Sequence, residues 1–310
     1  MSVFPHDQYV ELTVHFRCNL KCEHCMIEGT MDWLKPESQE QFDQLVAYNT
    51  RTRRWTGLIL TGSEVTLMRN LPDLARAARR GGFQHVRIQT HGMRLADHNY
   101  CEELIDAGID QFFVSVCAAD AATHDAITLV PGSFEKTLRG LNQLDTFPNV
   151  SILTNTVITQ RSYQQLSAVV DRLSHLTRLV QMDFWNYWPM KETDEKNLIV
   201  SHLELIPYLK EAILKARLAG RHVEVKNVPE CLLGTLGDAL DNRQPQLFID
   251  PAFWPEFHRN GFNQCVHRPV CGSQQCLGLN TAYITKFGWH EHELQPLAPT
   301  QLVGMHAAHS

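Results

Sequence analysis

Three cysteines, Cys18, Cys22 and Cys25, fall in the stretch RCNLKCEHC with the spacing C-x3-C-x2-C. Zinc is the bland occupant of close thiols, but zinc sites usually draw on C-x2-C pairs and close a tetrahedron with a fourth ligand, which this spacing fits poorly. A cubane [4Fe-4S] cluster held by three cysteines leaves one iron without a protein ligand, and an open iron is a place for chemistry. A second group lies near the end of the chain: Cys265, Cys271 and Cys276, spaced C-x5-C-x4-C, with Cys231 in VPECLLG upstream. Its polar, Gly-rich surroundings make a poor apolar core for small buried cysteines. These four thiols are therefore read as ligands of a second cluster or of zinc.

The elements that must position these thiols follow a β-α rhythm. Strand-like runs at 9–16, 57–61, 85–90, 111–118, 150–158 and 179–188 alternate with helical segments at 38–50, 71–82, 97–108, 133–144, 163–176 and 202–220. Ser133 reads as the opener of its helix, with Glu135 in the first turn. Near-continuous apolar strands alternating with helices predict a parallel sheet covered by helices. Six units are too few for a closed eight-fold barrel, so the expected fold is α/β, an open (β/α)6 partial TIM barrel. The first thiols then lie just past the first strand, at the strand ends where β/α folds place their sites. After about residue 221 the rhythm breaks. RHVEVKNVPE is one more strand-like run, followed by Pro, Gly, Asn and the second cysteine group. The expected domains are a core over 1–222 and a small cysteine-rich extension over 223–310, held together by its metal site.

With these motifs in place, the chain resembles the radical S-adenosylmethionine (SAM) superfamily over roughly residues 9–220. The C-x3-C-x2-C loop after the first strand of a (β/α)6 partial barrel is that family's hallmark. LTGSEVTL (60–67) resembles its TGGEPT stretch, with Gly62 and Glu64 matching and Ser63 and Val65 standing for Gly and Pro. QTHG (89–92), containing Thr90, looks like its T-N-G turn with His91 in the Asn place. Ser115 and Asn155 match SAM-facing positions after the fourth strand and on the fifth, and His24 occupies the position whose backbone usually meets adenine. The resemblance implies that Cys18, Cys22 and Cys25 hold a [4Fe-4S] cluster whose fourth iron is chelated by SAM. It further implies that Glu64 accepts from the SAM ammonium, and that electron transfer into SAM yields methionine and a 5′-deoxyadenosyl radical that abstracts hydrogen from substrate. Comparison with the family's SPASM or twitch auxiliary domains implies a second [4Fe-4S] cluster on Cys231, Cys265, Cys271 and Cys276.

The substrate is the least legible part. Auxiliary-cluster members often modify peptides, so a peptide or amino-acid-type substrate is expected, with oxidation or epimerisation as the outcome. The alternative is a small metabolite such as a sugar or cofactor precursor. A reading of another class, a non-catalytic iron-sulfur electron carrier, leaves the Gly62/Glu64 loop unexplained. With about eight residues before the first strand, no N-terminal leader-peptide recognition domain is expected. Cys117, after the fourth strand, is a candidate hydrogen donor or simply a buried small residue, and Cys101 is read as packing. DFWNYWPM (183–190) is equally a substrate pocket or a barrel rim. His85, His124 and His175 are read as structural. A net charge of -6 offers no field for nucleic acid. No signal peptide or apolar span of about 18 residues is visible. A cytoplasmic protein served by a reductant such as flavodoxin or ferredoxin is the expectation. In that compartment nine cysteines point to metal ligands rather than disulfides.

Overall fold

The structure, a computed structural model, describes residues 3–27, 29 and 32–298. The closing HAAHS, read from the sequence as a frayed tail, lies outside them.

Eight strands form one parallel sheet: β1 (Tyr9–His15), β2 (Gly57–Gly62), β3 (His85–Thr90), β4 (Gln111–Ser115), β5 (Ser151–Ile158), β6 (Leu179–Asn186), β7 (His222–Lys226) and β8 (Gln246–Phe248). Their order is β7-β6-β5-β4-β3-β2-β1-β8, so β7 and β8 are the edges of an open, curled sheet of the partial-barrel type. The expected six strands are all present, and the segment after residue 221 adds one at each edge. β7 pairs with β6 from Gln181↔His222 to Trp185↔Lys226, and three residues of β8 pair with β1. That segment is thus partly woven into the sheet. β8 escapes the sequence reading because three residues carry no period.

Helices α1 (Gln39–Thr52), α2 (Leu71–Arg80), α3 (His98–Asp106), α4 (Ala121–Thr128), α5 (Ser133–Asp145), α6 (Leu166–Leu173) and α7 (His202–Leu218) connect the first seven strands. Local chemistry sets their ends. α1 opens with a capping box, in which the Ser38 hydroxyl accepts from Gln41 N at 3.2 Å while Gln41 Oε1 accepts from Ser38 N at 2.7 Å. α5 differs from expectation: Gly132 is its N-cap, and Ser133 donates its hydroxyl to Asp125 Oδ1 at 2.8 Å. Asp125 does the capping instead, accepting from Gly132 N at 2.6 Å and Phe134 N at 2.9 Å.

The strands are not uniformly apolar. Val10, Leu12, Leu58, Leu60, Val86, Ile88, Phe112, Val114, Met182, Phe184, Val223 and Val225 face the helices and build one continuous core. Each such side chain contributes about 1.5–3 kcal/mol by leaving water. The intervening residues point the other way, and there the buried set mixes apolar Ile59, Phe113 and Leu153 with polar Arg87, Gln111, Gln181, Asp183, Glu224 and Lys226. Period 2 sorts the chain into a packing face and a chemical face.

After β7 come α8 (Glu230–Leu233), α9 (Phe253–His258) and α10 (Thr281–Phe287). A second small core of Ile199, Leu279, Ala282, Tyr283 and Leu294 packs here, with Cys231 and Cys265 partly buried against it. Tyr283 fixes it to the barrel: its ring stacks on His202 at 4.1 Å and its hydroxyl accepts from His202 N at 2.9 Å. Lys286 Nζ adds bonds to Asp194 Oδ2 at 2.7 Å and Ile199 O at 3.0 Å. Among the described residues, no helix is long and apolar enough to cross a membrane.

Candidate active site

The loop after β1 carries Cys18, Cys22 and Cys25 and is tied down from outside. Lys21 N and Glu23 N donate to the Thr128 and Ile127 carbonyls at 3.1 and 3.0 Å, at the end of α4. Arg161 Nη2 donates to Glu23 Oε1 at 3.0 Å and Lys196 Nζ to the Glu23 carbonyl at 2.9 Å. Burial pushes the Cys18 thiol up to about 11, with Cys25 adding to the rise, and pushes Cys22 up with Cys117, Cys25 and Cys18 adding. The thiols are close enough to oppose one another's ionisation, a penalty that a bound cationic group would relieve. Every trio of thiols has at least one sulfur–sulfur separation above 4.8 Å among the described residues. A zinc tetrahedron with bonds of about 2.3 Å has edges of about 3.8 Å. The donor set fits the larger iron-sulfur cluster better.

All three thiols line a cavity of about 550 Å³ at the C-terminal ends of the strands. Its wall includes Gly62, Ser63, Glu64, Ser115, Asn155, His24 and Cys117, so seven of the eight site residues expected in roles other than metal ligation meet there. Thr90 is the exception. It stands behind Glu64, donating its hydroxyl to Glu64 Oε1 at 2.6 Å and accepting from Gly92 N at 3.0 Å.

Glu64 is fully buried. Thr66 N and Oγ1 donate to Oε1 at 3.1 and 2.5 Å, and His91 N donates to Oε2 at 2.8 Å, with His91 Nε2 3.2 Å away. Five protein groups thus already surround the carboxylate, which clamps the turns after β2 and β3. Gly62 has φ +136°, and a Cβ there would lie 1.9 Å from the His15 carbonyl oxygen. Ser63 and Val65 are absent from the positive-φ residues, so Ser and Val fit where the resembled motif has Gly and Pro.

Ser115 and Asn155 are register partners on β4 and β5. Asn155 is buried with its Oδ1 lacking a hydrogen-bond partner, as is His24 Nδ1. Orphaned acceptors on a cavity wall are the mark of a surface made for a polar ligand. Burial lowers His24 to about 4, so it is neutral at pH 7. Cys117 is buried beside Ala118 and Ile127, and burial pushes its thiol up to about 12. Cys101 behaves as packing and donates to Leu95 O at 3.0 Å.

Opposite the thiols, β6 and its continuation present Trp185, Asn186, Tyr187 and Trp188. Asp183 is turned to Gln181 Nε2 at 2.8 Å and Trp185 Nε1 at 3.1 Å, orienting the indole. Met190 packs in a small cluster with Phe16, Leu34 and Phe253. Sequence reasoning missed Phe253, Trp254 and Phe257 on α9, which complete the aromatic wall. The run FWPEF was the available signal. His85 and His175 are satisfied by Asp110 Oδ2 at 2.6 Å and Asn142 Oδ1 at 2.7 Å. His124 is half satisfied: Nδ1 meets Ser133 Oγ at 3.1 Å while Nε2 is buried without a partner and the ring lines the cavity.

The second thiol group also converges. Cys231, on α8, is raised first by burial and then by Cys276, Cys265 and Cys271 together. Gly278 N donates to Cys276 Sγ at 3.3 Å and Leu297 N to Cys271 Sγ at 3.4 Å, as backbone amides do around sulfur ligands.

Residues 12–171 match the radical SAM superfamily. A probable GTP 3′,8-cyclase from Methanopyrus kandleri is 27% identical over 172 residues, covering 55% of this chain and 54% of that protein. A Saccharolobus islandicus protein of the same name is 27% identical over 221 residues, covering 69% of this chain and 70% of its own. The chain thus spans about half the length of the first of these relatives. Among solved structures, Streptococcus suis SuiB bound to precursor peptide SuiA superposes with TM-score 0.58 at 14% identity, over 77% of this chain and 52% of that one.

Proposed function

We infer the function from one premise: the chain belongs to the radical SAM superfamily. Its chemistry is reductive cleavage of SAM followed by hydrogen abstraction. Bound at the first thiols, a [4Fe-4S] cluster supplies the electron that makes a 5′-deoxyadenosyl radical from SAM. Cys18, Cys22 and Cys25 hold that cluster. The backbone of Gly62 and Ser63 takes the SAM ammonium, with Glu64 and Thr90 fixing the turn's shape behind it. Ser115, Asn155 and the His24 segment complete the SAM wall. Cys231, Cys265, Cys271 and Cys276 would hold a second [4Fe-4S] cluster, in an auxiliary region following the core. A flavodoxin- or ferredoxin-type reductant feeds the first cluster.

We propose that the substrate is a small metabolite with a flat or apolar body and few negative charges. The observation that carries this is the aromatic wall of Trp185, Tyr187, Trp188, Phe253, Trp254 and Phe257, in a cavity whose lining, among the described residues, has one lysine, Lys21, and no arginine. Planar bodies stack on such a wall, while a nucleoside triphosphate, with about four negative charges, needs forked or clustered cations. The sequence relatives named as GTP cyclases favour a small molecule over a peptide, and the likeness to SuiB is one of fold. The reading departs from those relatives in the phosphate, not in the size of the substrate.

The test is stimulation of 5′-deoxyadenosine release from the reconstituted, reduced enzyme by nucleosides and other planar metabolites, by GTP, and by short peptides. Stimulation by the first group alone is expected. Stimulation by GTP or by peptides alone would overturn the substrate class while leaving the radical chemistry standing. Cys117, on the cavity wall, is assigned the return of a hydrogen atom to the substrate radical; its S–H bond breaks as the substrate C–H bond forms, and the thiyl radical left behind takes an electron from the same reductant and a proton from water. Cys117→Ala should then remove product while SAM cleavage continues.

A further inference from the structure

We propose that His6, Glu224 and Asp241 form a divalent-cation site at the end of the barrel where β1 begins, built from none of the thiols. Their ligand atoms lie within 4.8 Å of one another. His6 Nε2 is 3.3 Å from Glu224 Oε2 and 3.7 Å from Asp241 Oδ2. Ligands about 2.1 Å from a common ion are about 3–4 Å apart, so the spacing suits coordination.

The second observation is independent of that spacing. Glu224 is 1% exposed, and both of its carboxylate oxygens, like His6 Nε2, are buried without a hydrogen-bond partner. The neighbouring bases answer this need only in part: His222, His6 and Lys226 hold the Glu224 carboxyl below the usual carboxylate range, yet neither oxygen has a hydrogen bond of good geometry. Lys226 Nζ stands 3.8 Å from Glu224 Oε2 but donates to the carbonyls of Asp241 and Arg243 at 2.6 and 3.1 Å. Arg243 forks onto Asp241 at 3.0 and 2.6 Å, and His222 Nε2 is 3.5 Å from Glu224 Oε1. A buried carboxylate with two open oxygens is costly unless something positive completes it.

A route in is present. Glu224 and Asp241 line a cavity of about 310 Å³ together with Glu230 and Asp238, against one arginine, Arg243, and one histidine, His222. The excess of carboxylates draws cations, and the space accommodates the waters that finish the coordination shell. One imidazole with two carboxylates suits ions of the manganese-to-zinc range rather than the soft ions that thiolates select. The location gives the ion a task. His6 precedes β1, Glu224 is on edge strand β7, and Asp241 lies on the connection between the two unpaired edges. A cation there staples the N-terminal segment to the last strand of an open barrel.

The probe is manganese(II) added to enzyme with its iron-sulfur clusters loaded, so that the thiols do not compete, read by loss of the free-ion EPR signal and by Tm. Expected are one ion per chain, a raised Tm, and binding at least about tenfold weaker in both Glu224→Gln and His6→Ala, with Asp73→Asn unchanged. Should Glu224→Gln fail to fold, His6→Ala decides, because His6 lies outside the sheet. No manganese retained at millimolar concentration, or retention unaltered by His6→Ala, would overturn the proposal and leave a side-chain network without an ion.

Discussion

Gly62 and Glu64 do different work two residues apart in the chain. Gly62 supplies a conformation and a closeness to the His15 carbonyl that no side chain tolerates. Gly62→Ala should therefore abolish SAM binding, read as loss of 5′-deoxyadenosine, while Ser63→Gly should leave it within about twofold of wild type. Glu64 was legible as a site residue, but its partners were not. Pattern matching gives a residue type at a strand end, whereas the four donors around Glu64 come from turns that meet only in the fold. Removing its charge leaves those donors facing a neutral amide. Glu64→Gln should cost about 1–3 kcal/mol of stability by thermal or denaturant unfolding, in addition to any loss of activity. An unchanged Tm would mean the carboxylate is held less tightly than its bonds imply.

At the scale of elements, strands and helices were readable wherever period and length coincide. β3 was expected at 85–90 and is found there, and α1 and α7 lie within two residues of expectation. The polar inner face was present in the sequence as the alternation in HVEVK and QMDFW, yet apolar strands drew the eye first. Short elements failed: β8 has three residues, and α9 is defined by what its aromatics touch. The junction of α7 with α10 makes a pH prediction. Burial lowers His202 to about 3 and, with it, His124 to about 4, from an ordinary value of 6.5. The unfolded chain binds protons that these rings refuse, so their contribution is full above about pH 6.5 and is lost as pH falls toward 4. Tm should drop between pH 7 and 5, and His202→Gln should flatten part of that slope. A slope identical in the variant would remove His202 as its source.

For the whole molecule, one sheet carries the first three thiols and an aromatic-walled cavity on its C-terminal side. The first thiol group was legible because its three cysteines lie in one short run. The second site needed Cys231 brought to Cys265, Cys271 and Cys276 by folding, and the substrate wall draws on β6 and α9, distant in sequence. Replacing Cys231 alone should leave SAM cleavage measurable while changing the iron content and the EPR of the second cluster. The central claim is tested by anaerobic iron and sulfide quantitation on wild type and on the Cys18/Cys22/Cys25→Ala triple variant, with 5′-deoxyadenosine assayed after reduction in the presence of SAM. The account predicts about eight irons in wild type, about four in the variant, and nucleoside from wild type only. Zinc in place of iron with no nucleoside, or nucleoside from the triple variant, would contradict it.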